Sequence, residues 1–137
     1  MVVGKGKSVR GSGLRHSWSD VFADPNQFLV SFYPKEVSTG KYDDVMDYVD
    51  NIEENHLDEV TNGLYSVGIV GKDEGKTLVR VGCGVSNEQL RRWCLKKDIQ
   101  YQANVIMVEV NFIGALATCC HGAGIENPPI PDFIYGV

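Results

Sequence analysis

A chain of 137 residues with a formal net charge of −5 has the size of one ordinary domain, and its acidic balance argues against a general nucleic-acid surface. Hydrophobic residues make up 43% and charged residues 23%, a globular composition rather than a disordered one. No apolar run approaches the roughly 20 residues that span a bilayer, and the start "MVVGKGKSVRG" lacks the apolar region of a secretory signal; an intracellular, cytoplasmic protein without a membrane span is expected.

The opening "KSVRGSG" reads as a short strand near 8–11 that runs into a glycine turn, and "QFLVSFY" as a second strand near 28–33, closed by Pro34. Within "VRGSGLRHSWSD", Gly11, Ser12 and Gly13 present bare backbone, followed by Leu14, Arg15, His16, Ser17 and Trp18. Such a stretch suits either a tight surface turn with an incidental histidine or a nest of unobstructed N–H groups that binds an anion. "KEVSTGKYDD" is a turn-rich connection. From Asp43 to Val60 acids crowd, while Val45, Val49, Ile52 and His56 recur at helical spacing, so one amphipathic helix is expected there. The ordered D-x-D-x-D-G spacing of a calcium loop is missing, which favours a solvated acidic face over a cation site, with His56 among the solvated residues.

"LYSVGIVG" and "KTLVRVGCGV" read as paired strands, near 65–70 and 77–82, around the turn "KDEG". Ser86 is placed to N-cap a helix over about 87–97, with Asn87, Glu88 and Gln89 in its first turn. Leu90, Trp93 and Cys94 face inward on it; Arg91, Arg92, Lys96 and Lys97 lie outward or near its end. Trp93 is expected in the core rather than as a stacking platform. "NVIMVEVNFI" is rich in Val and Ile and predicts a strand over 105–111, leading into the small residues of "GALATCCHGAG". The tail "IENPPIPDFIYGV" holds three of the five prolines and cannot be regular helix. Cys83, Cys94, Cys119 and Cys120 show no paired CxxC spacing; buried free thiols in a reducing compartment are expected, and no metal site. There is no internal repeat and no Asn-x-Ser/Thr sequon.

The two glycine-rich turns, each with a histidine, suit a ligand with a diphosphate and a long body. Taken in order, "VRGSGLRHSWSD", "VRVGCGVSNEQLRRWCLKKDIQ" and "GALATCCHGAG" resemble the FAD-binding domain of the vanillyl-alcohol oxidase and p-cresol methylhydroxylase (PCMH) superfamily, most of all its sugar-lactone and alditol oxidase branch. The likeness spreads over residues 5 to 124. It implies an α+β domain of two small sheet-and-helix halves with FAD extended between them. It implies that Gly11, Ser12, Gly13, Leu14, Arg15, His16 and Ser17 wrap the diphosphate, and that Gly114, Ala115, Thr118, His121 and Gly122 line the cofactor from the other half. It further implies that His16 is a covalent attachment point, a role that suits a neutral imidazole attacking the flavin's electron-poor methyl carbon. The resemblance implies an FAD-linked oxidoreductase that oxidises a hydroxyl-bearing small molecule, the flavin supplying the redox chemistry.

Against the family pattern, residues 1–137 read as a single partial FAD-binding domain, shortened at both ends and without the substrate-binding cap, so the catalytic residues and the substrate are unassigned. Arg15 stands where the family often has Gly, and residues 104–110 carry no Cys for a second flavin link. A shortened domain exposes apolar surface, so self-association or a partner chain supplying the missing segments is expected. The competing readings are a non-catalytic remnant or interaction module that keeps the flavin-domain core, and an acidic structural domain unrelated to flavin. A flavin absorbance on purification separates the first reading from both.

Overall fold

The computed structural model describes residues 6–13, 24–32, 39–41, 63–101, 105–107 and 109–136. The expected acidic helix near 43–60, Pro34 and Trp18 lie outside the described residues. The described fold mixes helices with two small sheets, an α+β arrangement.

Strands β1 (Val9–Ser12) and β2 (Phe28–Ser31) pair in parallel, with Val9 opposite Phe28 and Ser12 opposite Ser31. Gly13 follows β1 at its C-terminal end. Strands β3 (Val67–Asp73) and β4 (Lys76–Val81) form an antiparallel hairpin with a bulge between Ile69 and Gly71. The expected turn is present and tight: Glu74 and Gly75 both have positive φ, 46° and 80°, as a two-residue hairpin loop requires. A 3-10 turn over Gly63–Tyr65 occupies the start of the expected third strand.

Helix α1 (Asn87–Lys96) forms where Ser86 predicts it. The Gln89 N–H donates to Ser86 Oγ at 3.1 Å and the Ser86 N–H donates to Gln89 Oε1 at 2.8 Å, a reciprocal capping box that occupies two amides at the helix start. Leu90, Trp93 and Cys94 are buried together with Val67 and Val85, and Val79, Val81, Ile99 and Tyr101 pack around them. At the other end, Asp98 takes a left-handed φ of 55°, its N–H donates to Leu95 O at 3.2 Å, and the Ile99 N–H donates to Cys94 O at 2.8 Å. This is a Schellman closure, and it folds Ile99 back onto the core.

Helix α2 (Phe112–Ala117) is shorter and lies where the small-residue motif begins. It belongs to a second cluster of Val105, Ala115 and Ile130, against which Val110, Leu116 and Cys120 pack. The expected strand over 105–111 is absent among the described residues of that segment; Asn111 alone makes a β-bridge there, antiparallel to Ser86. Val and Ile favour extended backbone only when a neighbouring strand offers its hydrogen bonds, and among the described residues no strand lies beside this segment. Its side chains do not alternate either: Val105 is buried while Ile106 and Met107 are both exposed. The proline-rich tail holds no α-helix, as expected, but forms a 3-10 turn over Ile130–Phe133. The Ile130 N–H donates to Cys120 O, and the Tyr135 hydroxyl donates to the Asp73 carboxylate at the hairpin tip.

The four cysteines are free, but only Cys94 is buried; Cys83 and Cys120 are half-buried and Cys119 is exposed, which corrects the expectation of buried thiols. Among the described residues no helix is long and apolar enough to cross a membrane.

Candidate functional site

The first glycine motif begins on β1, where Ser12 is buried and Gly13 follows at the strand's C-terminal end. Leu14, Arg15, His16 and Ser17 lie outside the described residues. A Cβ on Gly11 would come to 3.1 Å from the Phe32 ring. Gly13 is far more constrained: a Cβ there would sit 2.6 Å from Asn111 Oδ1 and 3.1 Å from its Cβ. Glycine at this position therefore has a packing reason, the close approach of Asn111, besides any contact with a ligand.

Asn111, three residues before the second motif, packs against the first. It is the N-cap residue of α2 but gives that helix no side-chain cap bond; its Nδ2 donates instead to Gly84 O at 2.9 Å. The backbones on either side interlock. The Asn87 N–H, first in α1, donates to Val110 O at 2.8 Å, and the Phe112 N–H, first in α2, donates to Val85 O at 2.9 Å. The N-termini of both helices thus meet beside the end of β1, joined at the Ser86–Asn111 bridge.

The remaining residues of the second motif are spread over a helix and its exit. Gly114 and Ala115 lie inside α2 rather than in a turn: the Ala115 N–H is bonded to Asn111 O at 3.0 Å, and the Gly114 face is open. Ala115, Leu116 and Ala117 are strong helix formers, which offsets the cost of about 1 kcal/mol for one glycine in the segment. Thr118 is exposed, and its hydroxyl donates back to Gly114 O at 3.0 Å, closing the helix. Cys119 has a φ of 53°, its N–H donates to Leu116 O, and the Cys120 N–H donates to Ala115 O, so α2 ends in the same Schellman closure as α1. His121 is exposed with Nδ1 2.9 Å from Gly122 O; with the proton on Nδ1 in that contact, Nε2 is left as an acceptor. Gly122 is half-buried.

The charge at this junction is not that of an open anion site. Glu88, buried in the first turn of α1, accepts from Arg91 Nε at 2.7 Å and Nη2 at 2.6 Å and from Arg92 Nε at 2.7 Å. The Arg91 hydrogen bond holds the Glu88 carboxyl below its ordinary range despite burial, and the same bond raises Arg91. A carboxylate in the first turn already answers the helix dipole. Burial pushes the Cys94 thiol up to about 11 and raises Tyr101, whose hydroxyl donates to Asn87 Oδ1 at 2.8 Å. Among the described residues, two buried side-chain atoms have no hydrogen-bond partner: Asn111 Oδ1 and Gln89 Nε2. Among the described residues no group of three or more His, Cys, Asp or Glu is placed to hold a metal ion, and the acidic run lies outside them.

The sequence patterns single out the glycines and histidines and place Gln89 only in a helix start; Asn111 and Gly84 stand out in no motif. One signal points to Asn111: an Asn immediately before a run of helix-compatible residues is a helix-start pattern, which competes here with the strand pattern of the Val and Ile before it. Comparison with family models, with curated proteins and with solved structures finds none that matches this chain.

Proposed function

We propose that this chain is the diphosphate-binding part of an FAD-linked oxidoreductase of the PCMH type, acting on a hydroxyl-bearing small molecule of sugar-lactone or alditol kind. One observation carries the reading: Gly13 of the first glycine motif lies against Asn111, three residues before the second motif begins, at the C-terminal end of a parallel strand. The crevice beyond the carboxyl ends of parallel strands is where such sheets characteristically bind nucleotide ligands.

The residues present fit the cofactor in part. The backbone from Gly11 to Ser17 would hold the diphosphate, and Gly114, His121 and Gly122, open or partly open at the surface, would line the other side. The phosphates would rest on the part of the turn beyond Gly13, because Gly13 itself faces the uncharged acceptor Asn111 Oδ1. FAD, when bound, supplies the hydride acceptor that oxidation of a hydroxyl requires. The chain's own part is to bind and orient it: glycine backbone admits close approach, and the bridge from Ser86 to Asn111 fixes the start of α2, from which the second motif continues. His16 is the proposed point of covalent attachment.

A second reading, a non-catalytic interaction module that keeps the flavin-domain core, draws on the apolar side chains left at the surface, among them Leu95, Ile106 and Ile125. One experiment separates the two. The purified protein, refolded with excess FAD, is melted and then denatured in acid. At a hundredfold excess over its dissociation constant a specific ligand adds about 2.7 kcal/mol, a clear thermal shift. Flavin retained after denaturation in the wild type and lost in His16→Ala supports covalent attachment. Neither shift nor retention overturns the oxidoreductase reading in favour of the module.

A further inference from the structure

We infer that the seam between Gly13 and Asn111 is a subsite for a neutral, hydroxyl-bearing ligand group rather than for a phosphate, with Asn111 Oδ1 accepting and Gln89 Nε2 donating. Both residues are only 3% exposed, and both atoms lack a partner. The identity of each unpartnered atom is fixed by what the other end of its amide does. Asn111 Nδ2 donates to the carbonyl of Gly84, and Gln89 Oε1 accepts from the Ser86 N–H, so neither amide can be turned around without opposing like groups. What remains is one acceptor and one donor, anchored on backbone atoms two residues apart, Gly84 O and Ser86 N.

A buried amide atom left unmet is unfavourable, and a ligand group that meets it recovers what the folded protein forgoes. A phosphate offers acceptors and negative charge; it would oppose Asn111 Oδ1, and the Glu88 carboxylate already faces the positive end of α1. A pair of hydroxyls fits, one donating to Asn111 and the other accepting from Gln89. Both atoms are sealed from solvent, and Gly13 lies on Asn111, so a ligand reaches Asn111 Oδ1 by parting the two. The inference rests on the flavin reading only for the identity of the molecule: FAD carries such hydroxyls on its ribityl chain and on its ribose.

The test follows the side-chain amide signals of Asn111 and Gln89 in ¹⁵N-labelled protein titrated with FAD, riboflavin, AMP and inorganic pyrophosphate. FAD is expected to move both signals. Movement by riboflavin assigns the subsite to the ribityl chain, and movement by AMP assigns it to ribose; either supports it. Pyrophosphate moving both signals, or no hydroxyl-bearing probe moving either, overturns it. FAD bound by fluorescence quenching with both signals unmoved overturns the subsite while the flavin reading stands; AMP moving them with no flavin bound does the reverse. Gln89→Glu keeps the acceptor that caps Ser86 but removes the donor. It is expected to melt close to the wild type and to bind the effective probe about tenfold more weakly, the worth of one ordinary hydrogen bond. Unchanged affinity overturns the donor role of Gln89.

Discussion

Helices α1 and α2 close with the same motif, a non-glycine residue in left-handed conformation and two backbone bonds back into the last turn, yet they begin in opposite ways. The ten residues of α1 start from a reciprocal capping box, carry Glu88 where the dipole favours an acid, and bury Leu90, Trp93 and Cys94 in one stripe. The six residues of α2 start from an Asn whose side chain is turned away to Gly84, and they bury only Ala115. A six-residue segment is too short to hold as an isolated helix, so α2 exists because Val105, Ile130 and the bridge to Ser86 hold it. The difference teaches that one part of this molecule is built from local signals and the other from what is brought to it, and the candidate site sits where they join.

The hardest test of that division removes the anchor of each cluster. Trp93→Ala should cost about 3 to 5 kcal/mol and unfold the β3–β4–α1 unit together with α2, seen as a single denaturant transition at lower concentration. Ile130→Ala should cost about 2 to 4 kcal/mol, and hydrogen exchange should report the loss at α2 while the amides of α1 keep their protection. Equal loss of protection in both helices would erase the distinction.

A pH titration sharpens it further, because Cys94 lies in the first cluster only. Its thiol has an ordinary value of 9.0, and burial raises it to about 11 in the fold. Unfolded chains release that proton from about pH 9 while the native state keeps it, so stability is complete below pH 9 and falls between 9 and 11. The loss is about 2 to 3 kcal/mol. Cys94→Ala should flatten that limb between pH 9 and 10, while above 10 the loss continues through Tyr101, whose ordinary value of 10.0 is also raised by burial.

The acid side reports the start of α1. Glu88 titrates below its ordinary 4.5 when folded, chiefly through the Arg91 hydrogen bond, so its contribution is present above about pH 4.5 and is lost as pH falls through the folded value. Glu88→Gln should lower stability at neutral pH by about 0.5 to 1 kcal/mol and flatten the acid limb of a melting-temperature profile. The smallest effect expected is a gain. Cys119→Gly relieves the left-handed φ of 53° and should stabilise by about 0.5 kcal/mol once glycine's greater unfolded entropy is subtracted; Asp98→Gly should gain less, because Asp tolerates that conformation. A destabilised Cys119→Gly would mean that its side chain holds the closure of α2.

By itself the sequence determined the α1 region: Ser86, Gln89 and the spacing of Leu90, Trp93 and Cys94 act within a few residues of one another, and the "DEG" turn sets its hairpin through positive φ at Glu74 and Gly75. Those interactions are local, so the residues that make them stand side by side in the chain. Tertiary structure decided the rest. Whether 105–111 became a strand depended on a neighbouring edge that the described residues do not supply, whereas α2 depended on Val105 and Ile130 reaching it from either side. Gly13 met Asn111, and Asn111 met Gly84, across separations that no local pattern encodes. The acceptor and donor left open at that junction exist only because two helix starts were brought together, and a hydrogen bond left unmade is visible only once every neighbour has taken its place.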